Sequence, residues 1–337
     1  MIKYVSIIRS LAIFFIALTI GLFISKKNKI SKEKLKSRIE VKIKRLDKEL
    51  YNCKSFEDVL ILIKNNSKVF YNVYKLADQQ TDEELAQEIF KFISREEIKD
   101  FMKEVLNTFE NISVLERDFE EAFINLKKIM GNFPSPNVSI VFTGMKDPYI
   151  IDKEDIIISI DFFLPETSKY RPSHYPDYLK KIYSKEYVSS QAMLQYVQQF
   201  LSKSKEENLL SYLLYYGKVL YFLKKIFPNK EDYIILSLPK GDLKEMEINE
   251  VYIWEFIKDS SILYNKSPQI ITPILEYGSK CDNIYEGCPG GVGLFIGYKI
   301  LLSYIKSNKI PLEKFIEDLN VASDTEILFK SNYKPYC

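Results

Sequence analysis

The chain has 337 residues, 46% hydrophobic and 28% charged, which is material for one large domain with a substantial core. A formal net charge of +2 excludes a molecule that is polyanion-binding over its whole surface, so no nucleic-acid partner is expected. The single histidine, His174, excludes zinc chemistry that needs two or three imidazoles.

Residues 1–26 read as an uncleaved signal anchor. Lys3 and Arg9 precede an uncharged apolar run from Ser10 to Ser25, and lysines resume at Lys26. The run is just short of the roughly 17–25 residues that span a bilayer as a helix, and Arg9 and Lys26 can snorkel at its ends. No small-residue cleavage site closes it, and no cysteine precedes Cys53. The membrane is therefore an expected partner, through residues 10–25. Residues 27–50 are strongly basic and read as a helical stem. Its lysines favour a cytoplasmic location, whereas Lys3 and Arg9 argue for the opposite orientation.

From Tyr51 onward the pattern is that of a folded domain, 51–337. SFEDVLILIKNNSKVFYNVYKLA and TDEELAQEIFKFISREEIKDFMKEVLNTFENI place apolar residues three and four apart, as helices do. Thr81 followed by Glu84 has the spacing of a capping box. DFEEAFINLKKIMGNF continues in helical mode until Gly131, Pro134 and Pro136 interrupt it. NVSIVFTGM and DIIISIDFFL are then β-branched and aromatic runs, read as paired antiparallel strands on either side of KDPYIIDKE. Helical periodicity returns after the loop that holds His174 and persists to the C-terminus. The fold class expected is α+β: a mostly helical single domain with a small antiparallel sheet in its middle.

The candidate chemistry is sparse. His174 would have to be the base of any serine triad, and its Pro-flanked loop suits an ordinary surface histidine. Cys281 and Cys288 flank DNIYEG, a spacing open both to a disulfide and to two free thiols; no cysteine pair has zinc-site spacing. CPGGVGLFIG matches neither phosphate-loop signature, so Gly291, Gly293 and Gly297 are read as serving a tight turn and close helix packing. No cofactor and no metal site are expected.

Two acids remain. Asp161 follows the second strand and either caps the next turn or, with Glu250, forms a glycosidase-type carboxylate pair. Glu250 lies four residues before Trp254, the only tryptophan, so both share a helix face. A carboxylate on an inward face needs a cation or hydrogen-bond donors, and a lysine or a tyrosine hydroxyl would serve. The pair reads as buried and structural. Tyr215, Tyr216 and Tyr221 are candidates for an exposed partner-binding patch.

Several stretches, in order from about Ser139 to Pro335, resemble the gliding motility lipoproteins of the GldB type from Bacteroidota. They are IIISIDFFLPE, YPDYLKKIYSKEYVSSQAMLQYVQQFL, NLLSYLLYYGKVLYFLKKIFPN, INEVYIWEFIKDSSILYN, PGGVGLFIGYKILLSYIKSN and SDTEILFKSNYKP. The resemblance marks Asp161, Tyr216, Gly217, Asn249, Glu250, Trp254, Pro289, Gly290, Gly293, Gly297, Tyr304, Tyr333 and Pro335 as signature or structural positions. It implies a non-catalytic protein of the cell envelope, facing the periplasm. Such a protein would work through contacts with other proteins of gliding motility and of the associated type IX secretion system. Members of that family carry an acylated cysteine after the signal, which this chain lacks before Cys53; a different start site or an uncleaved helix would account for that.

The element order is also similar to zinc proteases of the gluzincin type. The helix that would hold HExxH offers Gln195, Gln198 and Gln199 instead, so any such layout is degenerate. The alternatives to a contact protein are thus an envelope hydrolase using Asp161 and Glu250, or a degenerate zinc-protease-like scaffold.

Overall fold

The computed structural model describes residues 40–75, 80–131, 133–171, 175–278, 280–311 and 314–335. The expected anchor at 1–26, the stem as far as residue 39, His174 and Cys337 lie outside the described residues. Val41–Cys337 forms one compact unit.

That unit begins earlier than the boundary expected at Tyr51, and the end of the basic segment is not a free helical stem. Lys44–Arg45 form a short strand, β1, and Leu46–Asn52 form helix α1. Leu46 and Leu50 are 1% exposed, so the apolar positions hidden among the lysines belong to the core. Arg45 fastens the turn between the two elements. Its guanidinium grips the buried Asp47 carboxylate at 2.8 and 2.6 Å and donates to the Phe109 carbonyl at 2.7 Å. A bidentate pair with a further acceptor satisfies both buried charges.

Five helices then lead to the sheet: α2 (Phe56–Asn65), α3 (Ser67–Tyr74), α4 (Asp82–Ile93), α5 (Glu96–Thr108) and α6 (Ser113–Met130). Ser55 with Asp58, and Thr81 with Glu84, close reciprocal capping boxes at the starts of α2 and α4. Along α4, Leu85, Ala86, Ile89 and Ile93 make the buried stripe that its periodicity predicts.

The sheet differs from the expected antiparallel pair. Its strands β2 (Asn137–Val141), β3 (Tyr149–Ile151) and β4 (Asp155–Ser159) join β1 in the order β1-β2-β4-β3. β1 pairs parallel with β2, and β2 pairs parallel with β4, Val138 opposite Ile156. Only β3 is antiparallel, on β4. The segment taken as a connection, KDPYIIDKE, supplies that edge strand. It carries the chain back, so β4 re-enters beside β2 running the same way. Burial explains the arrangement: β4 is buried at every position and β2 at all but Asn137, as strands covered on both faces are.

After a 3-10 turn, Ile160–Phe163, the rest of the chain is helical. Helices α7 (Asp177–Ile182), α8 (Val188–Val197) and α9 (Leu209–Ile226) are followed by α10 (Asp232–Ile235), α11 (Lys240–Ile248), α12 (Glu250–Ile257), α13 (Ser260–Leu263) and α14 (Pro268–Leu275). Helices α15 (Val292–Asn308), α16 (Phe315–Val321) and α17 (Asp324–Ser331) complete the fold. α9 is apolar on nearly every face and runs through the core, packed on α6, α8 and α15. Tyr215 and Tyr221 are therefore buried and Tyr216 is half-buried, so the exposed tyrosine patch expected on this helix does not exist.

The gluzincin-like layout also finds no support. The polar groups of α8 are bonded locally: the Ser190 hydroxyl donates to the Tyr187 carbonyl and Gln191 to the Ile182 carbonyl. Gln199, in the turn beyond α8, donates to the Asp152 and Tyr196 carbonyls, both at 3.3 Å.

Candidate functional site

Asp161 sits where β4 ends, beside the loop that leaves the parallel strand β2. Carboxyl ends of parallel strands are where α/β sheets present reactive groups, but this carboxylate is 0% exposed. It accepts hydrogen bonds from the Met145 N–H at 2.5 Å, the Thr143 N–H at 3.2 Å and the Thr143 hydroxyl at 3.3 Å. Met145 and the preceding Gly144 both have positive φ, at 64° and 68°, and the carboxylate collects the N–H groups that this tight reversal points inward. Burial pushes the carboxyl up to about 6 against the pull of those donors. The Tyr74 hydroxyl closes the neighbouring space by donating to the Phe142 carbonyl. Asp161 thus bonds the loop after β2 rather than capping its own turn.

Glu250 opens α12 with different company. Its carboxylate takes an ion pair from Lys299 of α15 at 3.0 Å and a hydrogen bond from the Tyr333 hydroxyl at 2.8 Å. Burial, and then the Glu250 carboxylate, hold the Tyr333 phenol well above its ordinary pKa. The Tyr333 ring meets Trp254 edge to face with centroids 5.1 Å apart. Trp254 is half-buried, not fully buried as its size suggested. Asn249 precedes the helix and donates from its amide to the Glu245 carbonyl at 3.0 Å. No residue bonded to Glu250 is bonded to Asp161. The structure gives each acid its own closed set of partners.

The glycine positions form a third cluster. Gly217 on α9 and Gly297 on α15 lie where the two helices cross backbone to backbone. A Cβ on Gly297 would stand 2.0 Å from the Leu213 carbonyl oxygen, and one on Gly217 would stand 2.3 Å from that of Gly297. Gly293 faces Leu213 and Ile274 one turn earlier. Gly291 adopts φ 78° as α15 begins, with buried Gly290 and half-buried Pro289 before it. Tyr304 is buried farther along α15, and Pro335 is half-buried beyond Tyr333.

Most signature positions of the C-terminal half thus converge on one assembly of α9, α12, α15 and the C-terminal segment. A family model described as gliding motility protein GldB matches residues 25–335. The chain belongs to that family. It is accordingly a gliding-motility-related protein of the cell envelope. Searches of curated proteins and of solved structures find no match. Among the described residues no helix is long and apolar enough to cross a membrane, and no group of three or more His, Cys, Asp or Glu side chains is placed to hold a metal ion.

Reading the sequence named Asp161, Glu250 and the glycines but missed what binds them. Thr143 and Met145 carry no pattern of their own. Lys299 is one lysine among many, and only the turn geometry of α15 aims it at Glu250.

Proposed function

We propose that this GldB-family protein works without catalysis. In this reading it is held at a membrane through residues 10–25, faces the periplasm, and acts by contacts with other envelope proteins of gliding motility and type IX secretion. The observation that carries the reading is the state of its two candidate acids. Asp161 is sealed from solvent and Glu250 is bonded to Lys299 and Tyr333, so neither offers a substrate a free carboxylate. Ile248 and Tyr252, exposed four residues apart at the α11–α12 junction, offer apolar surface for such contacts.

The test is complementation of a deletion strain scored for spreading and for protein secretion. Glu250→Gln and Asp161→Asn, each accumulating to the normal level, are expected to restore both. Failure of a normally accumulating variant would support the hydrolase reading instead. Protease accessibility on intact and permeabilised cells tests the topology, and a cytoplasmic domain would overturn this part of the proposal.

A further inference from the structure

A cavity of about 450 Å³ lies between α9, the start of α17 and the segment that precedes α9. Its lining includes the exposed Lys203, Lys205 and Glu206 and, less exposed, two opposite charges without partners. Lys218, next to Gly217 on α9, is only 5% exposed, and among the described residues its ammonium has no hydrogen-bond acceptor and no ion pair. Asp324, at the start of α17, has a buried carboxylate oxygen, Oδ2, with no hydrogen-bond donor. Burial draws the Lys218 ammonium below its ordinary pKa while the Asp324 charge opposes that shift, so the two feel each other without touching. Charged groups shielded from water without a partner are costly unless something completes them.

The neighbouring polar groups are already engaged. The Asn208 side-chain oxygen accepts from the Ser211 N–H at 3.0 Å, capping α9. The Asn320 amide accepts from the Ser202 N–H and donates to the Phe200 carbonyl. Away from the exposed side chains of the lining, one ammonium and one carboxylate oxygen remain unanswered. One water, at roughly 30 Å³, fills a small part of the space. A polyanion would gain at the lysines and be repelled by both Asp324 and Glu206, whereas a zwitterion can answer each sign.

We propose that this cavity binds a small zwitterion, a free amino acid or a short peptide, whose carboxylate meets Lys218 and whose ammonium meets Asp324. Such a ligand carries both complementary charges on one small frame and adds no net charge to the cavity. The inference does not depend on the proposed role in motility, because its test requires no cells.

The test is the melting temperature of the purified full chain against single amino acids, alanyl-alanine, acetate and methylammonium, followed by calorimetric titration of any compound that shifts it. At least one zwitterion is expected to give a saturable upward shift, while acetate and methylammonium, with one charge each, give none. A preference for single amino acids over alanyl-alanine, or the reverse, identifies the source. Lys218→Met and Asp324→Asn are each expected to weaken binding by about tenfold or more, the loss typical of leaving one buried charge unpaired. Lys218→Met removes an unpaired buried charge, so its unliganded melting temperature should not fall, which separates lost binding from lost folding. The proposal is overturned if no zwitterion shifts the wild type, if acetate or methylammonium alone does so equally, or if folded Lys218→Met still binds normally.

Discussion

At Asp161, burial and hydrogen bonding pull the carboxyl in opposite directions, and burial wins. The proton binds the folded state more tightly than the unfolded one, with a folded pKa of about 6 against an ordinary 3.8. The residue's contribution to stability is therefore full below about pH 4 and is lost as pH rises through about 6. Measured against Asp161→Asn by denaturant unfolding at a series of pH values, the wild type should lose about 3 kcal/mol of relative stability between about pH 4 and 7. Parallel curves would contradict the assignment. Cys281 and Cys288 are a second residue-scale case. The Cys281 N–H donates to the Cys288 carbonyl at 2.9 Å, the two thiols donate to the Pro273 and Pro289 carbonyls, and the neighbouring Cys288 together with burial pushes the Cys281 pKa up. Both are free thiols in the structure. A disulfide oxidant such as oxidised glutathione is expected to join them, transferring two electrons and two protons to the oxidant. The bridge would be seen as a Cys281–Cys288 cross-linked peptide by mass spectrometry, absent in Cys281→Ser. If both thiols survive oxidation in the folded protein, the pair is a packing feature only.

Among the elements, the crossing of α9 and α15 decides the most. Hydrogen-only side chains at Gly217 and Gly297 let the two backbones touch, and no alanine fits without moving a helix. Gly297→Ala and Gly217→Ala are each expected to destabilise by about 1–3 kcal/mol or more, as overpacking does. Gly241, in α11, meets nothing within 4 Å, so Gly241→Ala should be neutral or stabilising by up to about 1 kcal/mol. Equal effects at all three positions would show that helix propensity, and not the close crossing, is being measured. The role of the glycines in packing was readable because their spacing on an apolar helix fits close approach and fits no phosphate loop. Which helix they approach was not readable, since Leu213 and Gly217 carry no mark of a partner about eighty residues later in the chain.

Across the whole molecule, the C-terminal segment is clasped to the body through Tyr333, which meets Trp254 and bonds Glu250, itself paired with Lys299. Trp254 is the only tryptophan, so its fluorescence reports on this clasp. Tyr333→Phe removes one hydrogen bond to a charged group and should cost about 1.5–3 kcal/mol, with little change in emission. Tyr333→Ala should also expose the indole and shift its emission to longer wavelength; unchanged emission would mean that the segment does not cover Trp254 in solution. The sequence by itself determined the helical periodicity, the capping box at Thr81, the presence of two β runs and the family, because these depend on residues close together in the chain. Only the tertiary structure decided that those two runs pair in parallel, that β1 comes from a lysine-rich segment, and that Asp161 and Glu250 have separate partners. Strand direction, burial and charge pairing depend on which distant segments meet, and that is settled by packing of the complete core.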